Sequence, residues 1–182
     1  MVAIRKAGAY SKRYARPYTR VSKKKSKSFI KTVPQKKIVK FSMGNQKADN
    51  EGKFNTEISL VSLEKVQMRD NAIEACRQAI TRELDKQILG QFYFEVKVHP
   101  HHILRENKML TGAGSDRMQT GMQKSFGKTI GRAAMVNAGS QIFRVKTSGD
   151  KQIRLVKQVL TSVKAKLPCR SRIIVNSQIN KN

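Results

Sequence analysis

The sequence DNAIEACRQAITRELDKQILGQFYFEVKV, residues 70–98, contains the two clearest structural patterns in the chain. In its first part, apolar side chains recur every three or four residues, which predicts an amphipathic helix near 70–88. Asp70 is placed to cap this helix, and Gly90 lies just past its end. From Gln91 to Val98 apolar and polar residues alternate, which is typical of a half-buried strand. The stretch therefore predicts a helix followed directly by a strand.

Strands are predicted on both sides of this stretch as well. Before it, Ile38–Phe41 and Phe54–Ser62 have strand patterns, and the polar sequence GNQKADNEG between them is predicted to be a loop. After it, Arg132–Asn137 and Ser140–Lys146 are predicted to pair as a hairpin through a short connection that contains glycine. Arg170–Val175 is predicted to be the last strand.

A second amphipathic helix is predicted between the last two of these strands. Ser148 or Asp150 can cap its start, and Pro168 prevents its continuation. Its apolar stripe consists of Ile153, Val156, Leu160, Val163 and Leu167. Clustered strands with two separated helices, and no regular alternation of strand and helix, favour an α+β fold. We therefore expect a mostly antiparallel sheet with both helices packed on one face.

The charge of the chain is strongly positive and unevenly distributed. Lys and Arg number 38 against 12 Asp and Glu, a formal charge of +26. Residues 1–48 contain 15 basic residues and no acid, residues 49–106 contain 8 basic and 10 acidic residues, and residues 107–182 contain 15 basic and 2 acidic residues. Such flanks indicate a polyanionic partner, because phosphates neutralised by Lys and Arg release counterions. We expect a basic arm over 1–37, one α+β domain over 38–176 and a short tail over 177–182.

The arm interleaves aromatic and basic side chains without any apolar period. Rings and guanidinium groups stack on unpaired bases while the charges follow the backbone, so this composition suits RNA. We expect the arm to be without structure until it orders on its partner, with the lysine-rich run Val21–Lys31 kept extended by charge repulsion until phosphates arrive. The alternative is that one or two of its rings pack against the edge of the domain. The candidate RNA-binding residues here are Arg5, Lys6, Tyr10, Lys12, Arg13, Tyr14, Arg16, Tyr18, Arg20, Lys23, Lys24, Lys25 and Lys27.

The most specific stretch follows the strand that ends at Val98. It has the sequence HPHHILRENKMLTGAGSDRMQTGMQKSFGKTIG, residues 99–131. This segment closely resembles the large-subunit ribosomal proteins called L-ten-e in archaea and eukaryotes, the counterpart of bacterial L-sixteen. Weaker similarity extends over most of the chain, and the absence of the long carboxy-terminal extension of eukaryotic members suggests an archaeal protein.

The resemblance implies a function for the whole chain. Such proteins pack between large-subunit rRNA helices beside the peptidyl-transferase centre and contribute to the aminoacyl-tRNA site. The implied partners are large-subunit rRNA, tRNA and neighbouring ribosomal proteins on a cytoplasmic ribosome. The resemblance implies no enzymatic activity, no cofactor, no small-molecule substrate and no homo-oligomer.

The resemblance also implies roles for individual residues. Beside these implied roles, the three imidazoles are expected to form a polar edge near RNA that can stack or donate a hydrogen bond. The further rRNA-binding candidates in and next to this segment are His99, His101, His102, Arg105, Lys124, Lys128 and Arg132. A glycine-containing loop over about 107–121 is implied to reach toward tRNA acceptor ends, with candidates Asn107, Lys108, Met109, Leu110, Gly112, Gly114, Asp116, Arg117, Gln119 and Gly121. This chain departs from the usual family sequence at Gln123, Lys124, Ser125 and Thr129, where the basic charge has moved by one position. The loop is also longer than a simple connection in a compact domain needs to be, which itself suggests a function.

Other chemistries find little support in the sequence. Gly112-Ala113-Gly114 lacks the helix, the third glycine and the acidic residue of a dinucleotide site. Within a strand His99 and His101 would point one way and His102 the other, and no cysteine or carboxylate completes a metal site with them. No run approaches the roughly 20 apolar residues of a membrane span. Cys76 is predicted to be a core residue, and with Cys169, on a strand-like segment, it indicates reduced cytosolic thiols. The main alternative is an architectural DNA- or chromatin-binding protein. A protein that coats a duplex has no use for a glycine-rich loop, whereas an irregular rRNA pocket can accommodate one.

Overall fold

A computed structural model of the chain describes residues 8–11, 32–106 and 128–177. Within these ranges the helices are α1 (Gly8–Ser11), α2 (Gln46–Asn50), α3 (Asp70–Ile88) and α4 (Asp150–Val163), which a 3-10 turn over Lys164–Lys166 extends. The strands are β1 (Ser42–Gly44), β2 (Thr56–Ser62), β3 (Val66–Arg69), β4 (Phe92–Val96), β5 (His102–Glu106), β6 (Lys128–Val136), β7 (Gln141–Thr147) and β8 (Ser171–Ser177).

The strands form two antiparallel sheets. The larger has the order β1-β4-β7-β2-β8 and the smaller has the order β3-β6-β5, and all neighbouring strands are antiparallel. Helices α3 and α4 contact each other; α4 packs on β2, β7 and β8, whereas α3 packs on β4 and also on β3 and β6. The predicted α+β class with an antiparallel sheet and both helices on one face is confirmed. The division into two sheets, with the short strands β3 and β5, was not predicted.

The core lies between the five-stranded sheet and the two long helices. The predicted stripe of α3 is buried, with Ile73, Cys76, Ile80 and Leu84 fully enclosed. From α4, Val156, Leu160 and Val163 meet this stripe, whereas Ile153 is only half-buried. Cys76 is a core residue as predicted, and burial raises the pKa of its thiol to about 12. A thiol with that pKa remains protonated and unreactive at neutral pH.

The predicted hairpin between Arg132–Asn137 and Ser140–Lys146 is wrong. The turn exists, since Ser140 N donates to Asn137 O at 3.1 Å and Gly139 has a φ of +82°. However, β6 pairs with β3 and β5, whereas β7 pairs with β2 and β4. The turn instead passes the chain from one sheet to the other. It is held on Ser62, whose carbonyl accepts from Gly139 N at 2.8 Å and whose N–H donates to Ser140 O at 3.0 Å.

The segment before α2 also differs from the prediction. Ile38–Phe41 is not a strand, because carboxylates of α3 accept hydrogen bonds from the backbone there. Lys37 N, just before this range, donates to Asp70 Oδ2, and Val39 N donates to Glu74 Oε2. Strand β1 begins only at Ser42, and the predicted polar loop contains α2. The Asn45 side chain caps α2 by accepting from Ala48 N at 3.0 Å.

The predicted helix caps are shifted by one residue. Asp70 is the first residue of α3 instead of its cap, and the cap position belongs to Arg69, which makes no capping hydrogen bond through its side chain. Likewise the cap position of α4 is Gly149 instead of Ser148 or Asp150. A carboxylate in the first helical turn still faces the positive end of the helix dipole, so both acids keep a stabilising position. Cys169 precedes β8 in an irregular segment instead of lying on a strand.

Gly44 offers a test of the pairing between β1 and β4. It has a φ of +89°, and a Cβ placed there would collide with the carbonyl oxygen of Phe92. Gly90 has a similar φ of +77° but open space around its Cβ position. We expect Gly44→Ala to lower the free energy of unfolding by roughly 2–5 kcal/mol, from backbone strain and steric overlap together. Gly90→Ala should cost only the roughly 1–2 kcal/mol of the left-handed conformation. Urea unfolding followed by circular dichroism measures both, and equal losses would contradict the steric argument.

Candidate nucleic-acid interface

The first candidate residues lie at a tight turn between the two sheets. Strand β4 ends at Val96 and β5 begins at His102, and between them His101 N donates to His99 O at 3.0 Å. A hydrogen bond between residues two apart closes a three-residue turn, and the central Pro100 fixes a φ suited to it. The turn brings the exposed rings of His99 and His101 together, with centroids 5.9 Å apart and planes 18° apart. His102 is buried. The predicted division of the three histidines therefore holds, although a turn and not a strand produces it.

The two imidazole rings continue onto an aromatic ring that sequence reasoning missed. Phe41 stacks on His99 with a centroid distance of 4.5 Å and an interplanar angle of 26°. The ammonium of Lys36 lies 4.8 Å from the centre of the Phe41 ring, within the range of a cation–π interaction. We call Phe41, His99 and His101 the ring stack. The sequence KKIVKF, residues 36–41, places one aromatic ring next to three lysines, a combination of residue types that also marks the arm. This is the signal that could have identified Phe41 and Lys36.

Hydrogen bonds fix the backbone that carries one end of the ring stack. Lys37 N donates to Asp70 Oδ2 at 3.1 Å, and Val39 N donates to Glu74 Oε2 at 3.4 Å. Glu74 is itself held by Arg77, whose Nε and Nη2 donate to its two carboxylate oxygens at 2.8 and 2.5 Å. The hydrogen bonds from Arg77, with smaller contributions from Gln78 and the Val39 N–H, lower the pKa of Glu74. They outweigh burial, which raises it, so the pKa lies below its usual range. Glu74 therefore stays charged at neutral pH.

Two basic candidates lie on the three-stranded sheet. Arg132 is half-buried and its Nε donates to Pro34 O at 2.6 Å, which ties β6 to the segment before the ring stack. Arg105 is also half-buried, and burial lowers the pKa of its guanidinium, which remains charged because its ordinary value is far above neutrality. Lys128 begins β6 and pairs in register with Glu106 at the end of β5. Residues 107–127 therefore start and finish at the same end of this sheet.

Tyr10 is placed against the domain. Its hydroxyl donates to Glu106 Oε2 at 3.2 Å, its carbonyl accepts from Gln67 Nε2 at 2.8 Å, and the Arg69 guanidinium lies 5.4 Å from its ring centre. The alternative that a ring of the arm packs at the domain edge is thus correct for Tyr10, and the helical residues 8–11 correct the expectation of an arm without structure.

The remaining predictions for the arm and the loop fall outside the described residues. They concern Arg5, Lys6, Lys12, Arg13, Tyr14, Arg16, Tyr18, Arg20, Lys23, Lys24, Lys25, Lys27, the loop residues 107–121 and Lys124.

Several other basic residues are neutralised on the five-stranded sheet. Arg144 contacts Glu95 at 2.5 Å and Glu57 at 3.8 Å, and Lys146 contacts Asp49 at 2.7 Å. Burial raises the pKa of Glu95, but hydrogen bonds from Arg144 and Lys97 outweigh it and leave the pKa below its usual range. Several of the acids in residues 49–106 therefore form ion pairs with basic residues of the same sheet. These cations are less available to phosphates than Lys36, Lys37 and Lys40, which are exposed in a segment without acids.

Within residues 8–11, 32–106 and 128–177, no three or more His, Cys, Asp or Glu side chains gather in a way that could hold a metal ion. In the same ranges, no helix combines the length and the apolar character that crossing a membrane requires.

Comparison with known proteins gives the family. Residues 17–174 match the family described as Ribosomal protein L16p/L10e. A relative from Thermofilum pendens is 44% identical over 160 residues, which cover 87% of this chain and 89% of the relative. A relative from Staphylothermus marinus is 40% identical over 172 residues, 94% of this chain and 92% of the relative. A third, from Methanosphaerula palustris, is 39% identical over 174 residues, 94% of each. All three are named large ribosomal subunit protein uL16.

The matched region spans most of the chain and includes both long helices, strands β1 to β7 and the first part of β8. The chain therefore belongs to the ribosomal protein L16p/L10e family, a family of structural and non-enzymatic proteins, and resembles its archaeal members.

Proposed function

We propose that this chain is a structural constituent of the large ribosomal subunit and binds large-subunit rRNA on the cytoplasmic ribosome. The observation that carries the proposal is the ring stack, in which the exposed His99 and His101 join Phe41 from the acid-free residues 1–48. Rings and cations in one place suit single-stranded or irregular RNA, where bases are free to stack and phosphates lie close by. The name shared by the relatives supports the same assignment.

The finer part of the proposal concerns position in the ribosome. We place the chain beside the peptidyl-transferase centre, where the loop 107–121 helps to seat tRNA acceptor ends by its position and performs no chemistry. Neighbouring ribosomal proteins are further partners, and the protein acts as a single copy. The pairing of Glu106 with Lys128 supports this role, because it places the residues that flank the segment 107–127, which contains the loop, on adjacent strands. The basic arm 1–37 and the tail 177–182 are proposed as contacts outside the domain 38–176.

Sedimentation distinguishes binding to the large ribosomal subunit from binding to DNA or chromatin. A lysate is treated with DNase or with RNase and then resolved on a sucrose gradient. We expect the protein to sediment with the large subunit after DNase and to be released by RNase. Release by DNase with resistance to RNase would overturn the proposal and favour the architectural DNA-binding alternative.

The loop itself is tested by removing its two cations. Replacing Lys108 and Arg117 by Ala should leave the free energy of unfolding unchanged but weaken tRNA binding to the assembled subunit. The matched control is Lys151→Ala with Lys157→Ala, because these exposed side chains of α4 remove the same charge elsewhere. Incorporation into subunits and occupancy by tRNA are measured separately. Normal tRNA binding by the loop variant would contradict the proposed role, and lost incorporation alone would make the loop an rRNA anchor instead.

A further inference from the structure

The ring stack has one covered end and one open end. At the covered end the Lys36 ammonium lies over Phe41, and Phe41 lies against His99. At the other end His101 is exposed, and in the part of the chain that the structure describes no further ring stacks on it beyond His99. The outer face of the His101 imidazole is therefore accessible to one more planar group.

The surroundings of this face indicate what kind of planar group fits. The ring stack borders an open cleft of about 410 Å³ that is also lined by Gln35, Lys36 and Arg132. None of the lining residues is a carboxylate, so the cleft has cationic and amide groups but no acid. Cations bind phosphates, and an amide can pair with the edge of a base. A nucleotide combines a flat ring with an adjacent phosphate and matches this set of groups.

We propose that an unpaired base of large-subunit rRNA stacks on the outer face of His101 and extends the ring stack by one ring. The proposal rests on the function proposed above and adds the site at which RNA bases are contacted. The base must be unpaired, because bases inside a double helix are covered on both faces and the deep groove of A-form RNA excludes side chains. Stacking is tolerant of sequence, since every base has a π-face.

The protein holds this surface ready before RNA arrives. The turn centred on Pro100 fixes the backbone that carries the two imidazoles, and the carboxylates of Asp70 and Glu74 bind the backbone that leads to Phe41. Arg132 ties the same segment to the three-stranded sheet through Pro34 O. Rings that are already in place lose little conformational freedom on binding, which favours affinity. The surface is thus a preformed platform and not a flexible basic patch.

The test compares His101→Ala with the wild-type full-length chain. Two labelled probes are titrated by fluorescence anisotropy at fixed salt: a short single-stranded oligoadenylate and an RNA duplex with the same number of phosphates. Loss of one stacked base should weaken binding of the single strand by about 5- to 150-fold. Binding of the duplex should be unchanged, because its bases are inaccessible and the substitution removes no Lys or Arg. The salt dependence should keep its slope for the same reason.

His101→Tyr serves as the matched control. It keeps a flat ring but replaces the imidazole, so we expect it to bind the single strand within a few-fold of wild type. Equal weakening by Tyr and Ala would overturn stacking in favour of a specific imidazole contact. Equal weakening of single strand and duplex, or no weakening at all, would overturn the platform. A large-subunit rRNA transcript is titrated in parallel: if wild-type protein fails to bind it, the proposed function fails, whereas normal binding with an inert His101→Ala variant rejects the platform alone.

Discussion

Binding of the protein to its rRNA site is expected to weaken by roughly three to five orders of magnitude between about 50 and 200 mM salt. The basis is the charge of +26, spread over both flanks of the chain, which implies on the order of 6 to 10 phosphate contacts. Each contact releases condensed counterions, and added salt opposes that release. Filter binding or anisotropy with an rRNA transcript over a salt series gives the slope directly.

A single lysine provides the internal control for this measurement. Lys36→Ala should lower the slope by about one if that ammonium meets a phosphate, whereas His101→Ala should lower affinity without changing the slope. A nearly flat salt dependence of the wild-type protein would show that phosphates do not dominate binding. Such a result would leave the family assignment intact and would require base or protein contacts to supply the affinity.

Glu74→Ala is expected to lower the free energy of unfolding by about 3–5 kcal/mol. The Glu74 and Arg77 side chains are 10% and 11% exposed, so the substitution leaves the guanidinium enclosed without its carboxylate. It also removes the acceptors of Gln78 Nε2 and Val39 N. Because Val39 lies two residues before Phe41, the variant should loosen the ring stack as well. Asp85→Ala is the matched control: it removes an exposed acid from the same helix and should cost no more than about 0.5 kcal/mol.

Urea unfolding of both variants, with binding of the single-stranded probe, tests this pair of effects. A Glu74→Ala variant as stable as Asp85→Ala would show that Arg77 finds water or another acceptor when its partner is removed. A destabilised variant with unchanged probe binding would show that the ring stack does not depend on the anchored segment.

The pH dependence of the free energy of unfolding should also report the interaction between Glu74 and Arg77. The pKa of Glu74 is lowered in the folded state, so its contribution to stability is present above the unfolded value of about 4.3 and is lost as the pH falls through the lower folded value. Glu74→Gln does not titrate at this position. We therefore expect wild type to be more stable than Glu74→Gln at neutral pH, with a difference that shrinks below about pH 4. A stability difference that does not change with pH would contradict the lowered pKa of Glu74 in the folded protein.

The parts of the fold that sequence predicted well are those where a burial pattern acts locally. The bounds of α3 followed from its apolar period, and the alternation around β4 followed from one face being buried. The polar side of β4 was less predictable: Tyr93 is buried in a small cluster with Ala48 and Phe54, which depends on the presence of α2. A period of two reports which residues share a face, but not what will cover that face.

The parts that failed depend on partners distant in sequence. Gly139 correctly indicated a turn. The pairing of the strands before and after this turn depends on contacts with Ser62 and with strands distant in sequence. Ile38–Phe41 has the composition of a strand, yet carboxylates from α3 take N–H groups that a ladder would use. At the candidate site, the histidines were recognised from their own sequence. Phe41 could not be placed beside them, because only the folded chain brings residues 41 and 99 into contact.

The order of strands in the five-stranded sheet has a consequence for synthesis of the protein. Strand β2 pairs with β7 on one side and with β8 on the other, so both partners lie far downstream in the chain. At about 5–20 residues per second, a ribosome needs roughly 6–23 s to pass from β2 to β8. Until β7 has been made, roughly 4–17 s after β2, the strand has neither neighbour, while the acid-free residues 1–48 have already been made. The basic amino-terminal segment can thus meet RNA before the sheet closes, and folding with such long-range pairing is intrinsically slow.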